Sequence, residues 1–105
     1  MRSVNNSELT MVADALKAMG HPIRLRIMLR LAEKQCNVGE VMGSLLLPQS
    51  SISQHLKILK NSGSLEARRE GTKVFYMIND NMILDIIATL DKRFGNAEPQ
   101  VHAKK

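Results

Sequence analysis

The sequence predicts a mainly α-helical chain with one small β-hairpin. Apolar residues return at intervals of three and four in successive stretches, the period of a helix face. Two short cation-bearing runs flank Gly71-Thr72, as the strands of a tight hairpin would. Helix punctuation (Gly20-His21-Pro22, Asn37, Pro48, Ser62-Gly63-Ser64) separates these stretches. The result is an order of about five helices with a two-stranded hairpin before the last.

Ser7 is placed to cap a first helix that runs to Met19, with Leu9, Val12, Ala13 and Leu16 at helical spacing. Gly20-His21 interrupts it. Pro22 suits the first turn of a second helix, Pro22–Glu33, where the N–H it lacks would have no partner. Ile23, Ile27, Met28 and Leu31 give that helix a core side, and Arg24, Arg26 and Arg30 fall largely elsewhere. Asn37 and Glu40 are spaced as a capping box opening a short third helix, Val38–Leu46. After Pro48 a fourth helix covers Gln49–Asn61, and Ser62-Gly63-Ser64 ends it. Strands are expected at Leu65–Arg69 and Lys73–Ile78. The second alternates Val74, Tyr76 and Ile78 with Phe75 and Met77, so both its faces should be partly covered. A last helix, Asn81–Phe94, carries Ile83, Ile86, Ile87 and Leu90 on one face. One domain is expected over 1–94, and 95–105 reads as a flexible polar tail with too few apolar residues to pack.

A chain of 105 residues with 44% hydrophobic content is the size of one domain with a modest core, and sharing that core with a second copy would enlarge it. The formal net charge of +5 points to an anionic partner, nucleic acid before membrane. The charge is clustered: Lys57, Lys60, Arg68, Arg69 and Lys73 face only Glu66 and Glu70 within 49–76. The single cysteine, Cys36, excludes an intrachain disulfide and suits a reducing cytoplasm. No apolar run is long enough to span a bilayer, and the opening residues lack a signal-peptide layout. The seven methionines read as packing residues. There is no Gly-rich phosphate loop, metal-ligand cluster or nucleophile–base pair at motif spacing, so neither an enzyme nor a cofactor is expected.

Short helix, helix, strand, turn, strand is the order of a winged helix-turn-helix. On the fourth helix Ile52, Leu56 and Leu59 share the inward face, leaving Gln49, Ser50, Ser53, Gln54 and Lys57 outside. Gln can bond adenine bidentately and Ser can donate or accept, so this face suits the major groove of duplex DNA. His55 borders the core side and reads as a core or cap residue rather than a base reader. Arg68, Arg69 and Lys73 at the hairpin suit phosphate or minor-groove contact, which gives affinity rather than sequence choice. The alternative function is a non-specific architectural or protein-interaction winged helix.

The stretches LKAMGHPIRLRIMLRLAE, VGEVMGSLLLPQSSISQHLKILKNSG and REGTKVFY resemble the ArsR/SmtB family of dimeric winged-helix bacterial repressors. The resemblance implies a homodimer through the first and last helices, with two recognition helices facing a palindromic operator. It also implies base reading by Gln49, Ser50, Ser53 and Gln54. Metal sensors of the best-known type carry Cys-Val-Cys-Asp at the third helix, where this chain has Asn37-Val38-Gly39-Glu40. That stretch is similar to the metal-independent HlyU-like and BigR-like branch, whose redox members use two cysteines. Cys36 alone leaves two readings: a thiol sensor with its pKa lowered by Lys34 and the third helix's N-terminus, or an inert small residue. A metal-responsive site on the last helix, from Asp85 with His102, is the weaker alternative; Asp80 is nearby in sequence. The effector is not legible.

Overall fold

Side-chain caps open four of the five helices in the computed structural model, which describes residues 5–94. The order is α1 (Asn6–Met19), α2 (Pro22–Glu33), β1 (Cys36–Asn37), α3 (Val38–Leu45), α4 (Gln49–Asn61), β2 (Glu66–Glu70), β3 (Lys73–Met77) and α5 (Asn81–Phe94). The segment 95–105, with His102, lies outside the described residues. Asn5, not Ser7, caps α1: its carboxamide accepts the Ser7 N–H at 2.7 Å, so the helix opens earlier than its apolar spacing suggests. His21 caps α2, its Nδ1 accepting the Ile23 N–H at 3.1 Å, with Pro22 in the first turn as expected. The Asn37–Glu40 capping box closes with both bonds at 2.9 Å. Asp80 caps α5, accepting from the Met82 and Ile83 N–H groups.

The wing is larger than a hairpin. Cys36 and Asn37 pair antiparallel with Tyr76 and Phe75, so β3 sits in the middle of a three-stranded sheet of order β1-β3-β2. Two residues are too few to show strand alternation, which is why β1 has no signature in the sequence. β2 and β3 lie one residue from their expected bounds, joined by Gly71-Thr72. Gly71 has φ 65°, the left-handed value that a two-residue hairpin turn needs at its first position.

The core collects Ile27 and Met28 from α2, Val41 from α3, Ile52, Leu56 and Leu59 from α4, and Ile83 and Ile87 from α5, all essentially without solvent exposure. Truncating one of these to alanine costs about 2–5 kcal/mol. Helix α1 packs through a different face from the one expected. Ala15, Ala18 and Met19 are buried, whereas Leu9 and Leu16 are 50% and 46% exposed. Ala15 and Ala18 allow close approach to the body, and Leu9, Met11 and Leu16 face out. Buried Ser64 bonds the Ser62 hydroxyl at 2.8 Å and donates to the Ala15 carbonyl, tying the exit of α4 to α1. At the end of α3, Leu46 takes a left-handed conformation (φ 58°, ψ 38°) and is 88% exposed, while Leu45 and Leu47 pack on the core. For a residue with a Cβ that conformation costs about 1–2 kcal/mol.

One polar junction links α1, α2 and α4. Arg24 donates from Nη1 to the Ala18 carbonyl at 3.0 Å and from Nε to His55 Nδ1 at 3.2 Å, and the His55 and His21 rings lie 4.9 Å apart. Burial first, then the neighbouring His21 and Arg24, holds the His55 pKa below its ordinary 6.5. Protonated His55 would lose its bond from Arg24 and set a cation beside the guanidinium.

Cys36 is fully buried, and its thiol donates to the Lys34 carbonyl at 3.4 Å. Its pKa is raised, chiefly by burial. Arg30 and Lys34 pull it down, but burial with Glu40 and Glu33 outweighs them. The lowering expected from Lys34 and the α3 N-terminus is therefore overturned.

The packing around both groups can be measured. Because folded His55 takes up its proton at lower pH than unfolded His55, its stabilisation is intact above about pH 6.5 and is lost as pH falls through the lowered native value. Between about pH 7.5 and pH 5.5 the melting temperature should fall further in the parent than in His55→Gln, which keeps an acceptor for Arg24. Equal falls would remove this junction as the source. A disulfide reagent should modify Cys36 about tenfold or more slowly in the folded protein than in denaturant, and equal rates would contradict a buried, protonated thiol.

Candidate nucleic-acid interface

The rotation of α4 is decided by its apolar residues. Ile52, Leu56 and Leu59 have no exposure, and the helix turns about 100° per residue. Gln49, Ser50, Ser53, Gln54 and Lys57 are consequently all exposed, as the sequence separation of the two faces requires. Lys60 is exposed too, while His55 is half-buried in the junction with Arg24 and His21. α3 packs against α4, completing the helix-turn-helix. Pro48 stands at the N-cap of α4 and supplies no side-chain acceptor, so the helix opens with its first amide groups and positive dipole end turned outward.

The wing's register divides its cations between two faces. Arg68 pairs with Phe75 and Glu70 with Lys73, placing Arg68, Glu70 and Lys73 on one side of the sheet. Arg69, paired with Val74, lies on the other, the side shared by Tyr76 and buried Cys36. All three cations are exposed. Arg68 is the least available of them: its guanidinium contacts Glu70 at 2.8 Å and donates to the Gln35 carboxamide at 3.0 Å. Gln35 is a residue that sequence reasoning missed. It lies far from Arg68 along the chain, and only β1, which has no sequence signature, brings the two segments together.

The alternative sites fare differently. Cys36 is a buried residue of β1 in the wing's sheet rather than part of the exposed face of α4. Asp85 is exposed on α5, Asp80 is engaged as a cap, and His102 lies outside the described residues. Among the described residues no three of His, Cys, Asp and Glu gather closely enough to hold a metal ion. No helix there is long and apolar enough to cross a membrane.

Comparison with known proteins places this geometry. Residues 21–66, from the cap of α2 to the start of β2, match the model of the bacterial regulatory protein arsR family. Over 82 residues the chain is 44% identical to an uncharacterized HTH-type transcriptional regulator of Methanocaldococcus jannaschii, covering 76% of this chain and 91% of that protein. The structure of HlyU from Vibrio cholerae superposes with a TM-score of 0.78 at 33% identity, covering 88% of this chain and 98% of HlyU. A solution structure from Mycobacterium bovis, described as a homodimeric winged helix-turn-helix DNA-binding domain, gives 0.76 at 27% identity and covers 97% of both chains. With its HlyU-like likeness and its helix-turn-helix and wing in place, the chain belongs to the arsR family of bacterial regulatory proteins.

Proposed function

We propose that this protein is a dimeric, sequence-specific DNA-binding repressor that acts by occupying its operator. The observation that carries the reading is the division of α4: three apolar side chains wholly buried, and a continuous polar face of Gln49, Ser50, Ser53, Gln54 and Lys57 exposed. In the major groove these groups read base edges, while Arg69, Lys73 and, more weakly, Arg68 hold phosphates. Glu70 already neutralises part of the Arg68 charge. Dimerisation is supported by the large apolar side chains that α1 and α5 leave uncovered: Leu9, Met11 and Leu16 on one, Met82 and Phe94 on the other. The homodimeric M. bovis domain has the same fold. Two heads related by a two-fold axis require a palindromic site with half-sites about one helical turn apart.

Selection of duplexes from a random pool tests the reading directly. A palindromic site should emerge that binds far more tightly than shuffled DNA at physiological salt. Equal binding to both would favour a non-specific architectural protein instead. Arg69→Ala with Lys73→Ala should weaken binding to all duplexes and reduce the salt slope by about 0.9 for each phosphate no longer neutralised. Arg68→Ala should change the slope less. Gln49→Ala or Ser53→Ala should instead narrow the gap between selected and shuffled DNA, by about 1–3 kcal/mol where a bidentate base pairing is removed. Leu9→Glu with Leu16→Glu should yield a folded monomer by sedimentation, and a persistent dimer would move the interface elsewhere.

A further inference from the structure

The turn between α3 and α4 holds a side chain that the fold does not need. Leu46 is the most exposed of the large hydrophobic residues among those described, at 88%, and its φ of 58° lies in the region that favours glycine or asparagine. Its backbone has a task, since its N–H caps α3 by donating to the Met42 carbonyl at 2.8 Å. Leu45 and Leu47 on either side pack against the core. The left-handed turn lets both neighbours reach inward and turns Leu46 out. None of this requires a leucine. A glycine would make the same turn without strain and without presenting an isobutyl group to water.

Leu46 lies three residues before Gln49, the first residue of α4, so their Cα atoms are within about 11 Å of each other. Beyond Leu45 and Leu47, the residues that flank it along the chain, Ser44 before and Pro48, Gln49 and Ser50 after, are all exposed. One isolated apolar group is far too little for a stable protein interface, which buries about 800 Å² per partner. It does match the one apolar feature on the major-groove edge of a base pair, the C5-methyl group of thymine. We propose that Leu46 is a specificity-determining residue that packs on a thymine methyl at the edge of the half-site. The proposal rests on the DNA-reading function above and adds to it a contact made by the turn rather than by the polar face of α4.

The test uses the full chain and a duplex selected from a random pool. Each thymine is replaced in turn by deoxyuridine, which removes only the methyl group. For the parent, at least one such replacement should lower affinity about fourfold, the worth of one buried methyl. Leu46→Gly should melt at the same or a higher temperature, bind the thymine duplex about fourfold more weakly, and lose nothing further at that deoxyuridine. Leu46→Asn, which also tolerates the left-handed turn, should behave likewise. Unchanged affinity in Leu46→Gly would overturn the proposal. So would a weaker variant that keeps the parent's full deoxyuridine penalty at every thymine, or one whose sedimentation shows an altered oligomer. Failure to select any duplex over random DNA would instead defeat the DNA-reading function itself, a result distinct from these.

Discussion

The angle at which α4 lies on its axis governs everything this protein presents. Ile52, Leu56 and Leu59 are buried without remainder, and rotating the helix by one residue would swing them about 100° toward water. Undoing the burial of even one costs a few kcal/mol, a large share of a small domain's stability. Hydrophobic packing therefore fixes the outward direction of Gln49, Ser50, Ser53, Gln54 and Lys57, although none of them contributes to that packing. The exposed polar face is the complement of the core face.

The remaining elements brace that angle. α2 supplies Ile27 and Met28 to the same core, and Arg24 reaches from that helix to the Ala18 carbonyl and to His55. Ser64 holds the far end of α4 to α1 through the Ala15 carbonyl. These polar links are few: the Arg24 guanidinium donates two and the Ser64 hydroxyl one, so each part-buried polar group has a partner, as a small core requires. Arg68 shows a related compromise at the surface: Glu70 and Gln35 position it, and part of its charge is neutralised in return.

Much of this is legible in the residues alone. α2, α4 and α5 begin and end where periodicity and punctuation put them, because each has a buried stripe, with Pro22 to start α2 and Ser62-Gly63-Ser64 to stop α4. The polar face of α4 is legible for the same reason. What escapes is non-local or too short to have a period. β1 is two residues long, and only its pairing with Tyr76 and Phe75 reveals it. The bond from Arg68 to Gln35 depends on that strand. The outward stripe of α1 escapes because a helix with two apolar stripes does not announce which one meets its own chain. The chemistry of Cys36 is only half visible: the nearby cations stand in the sequence, but the burial that outweighs them does not.

Asn37 occupies a place where two mechanical systems share one residue. It is the last residue of β1, paired with Phe75 of the wing, and also the cap on which α3 is hung. Besides the 62–65 connection from α4 to β2, the sheet and α3 therefore share this backbone position directly, with no linker between them. A tilt of the sheet is carried into the first turn of α3 through that residue, whereas residues added at the Gly71-Thr72 tip would lengthen the hairpin and leave this weld undisturbed.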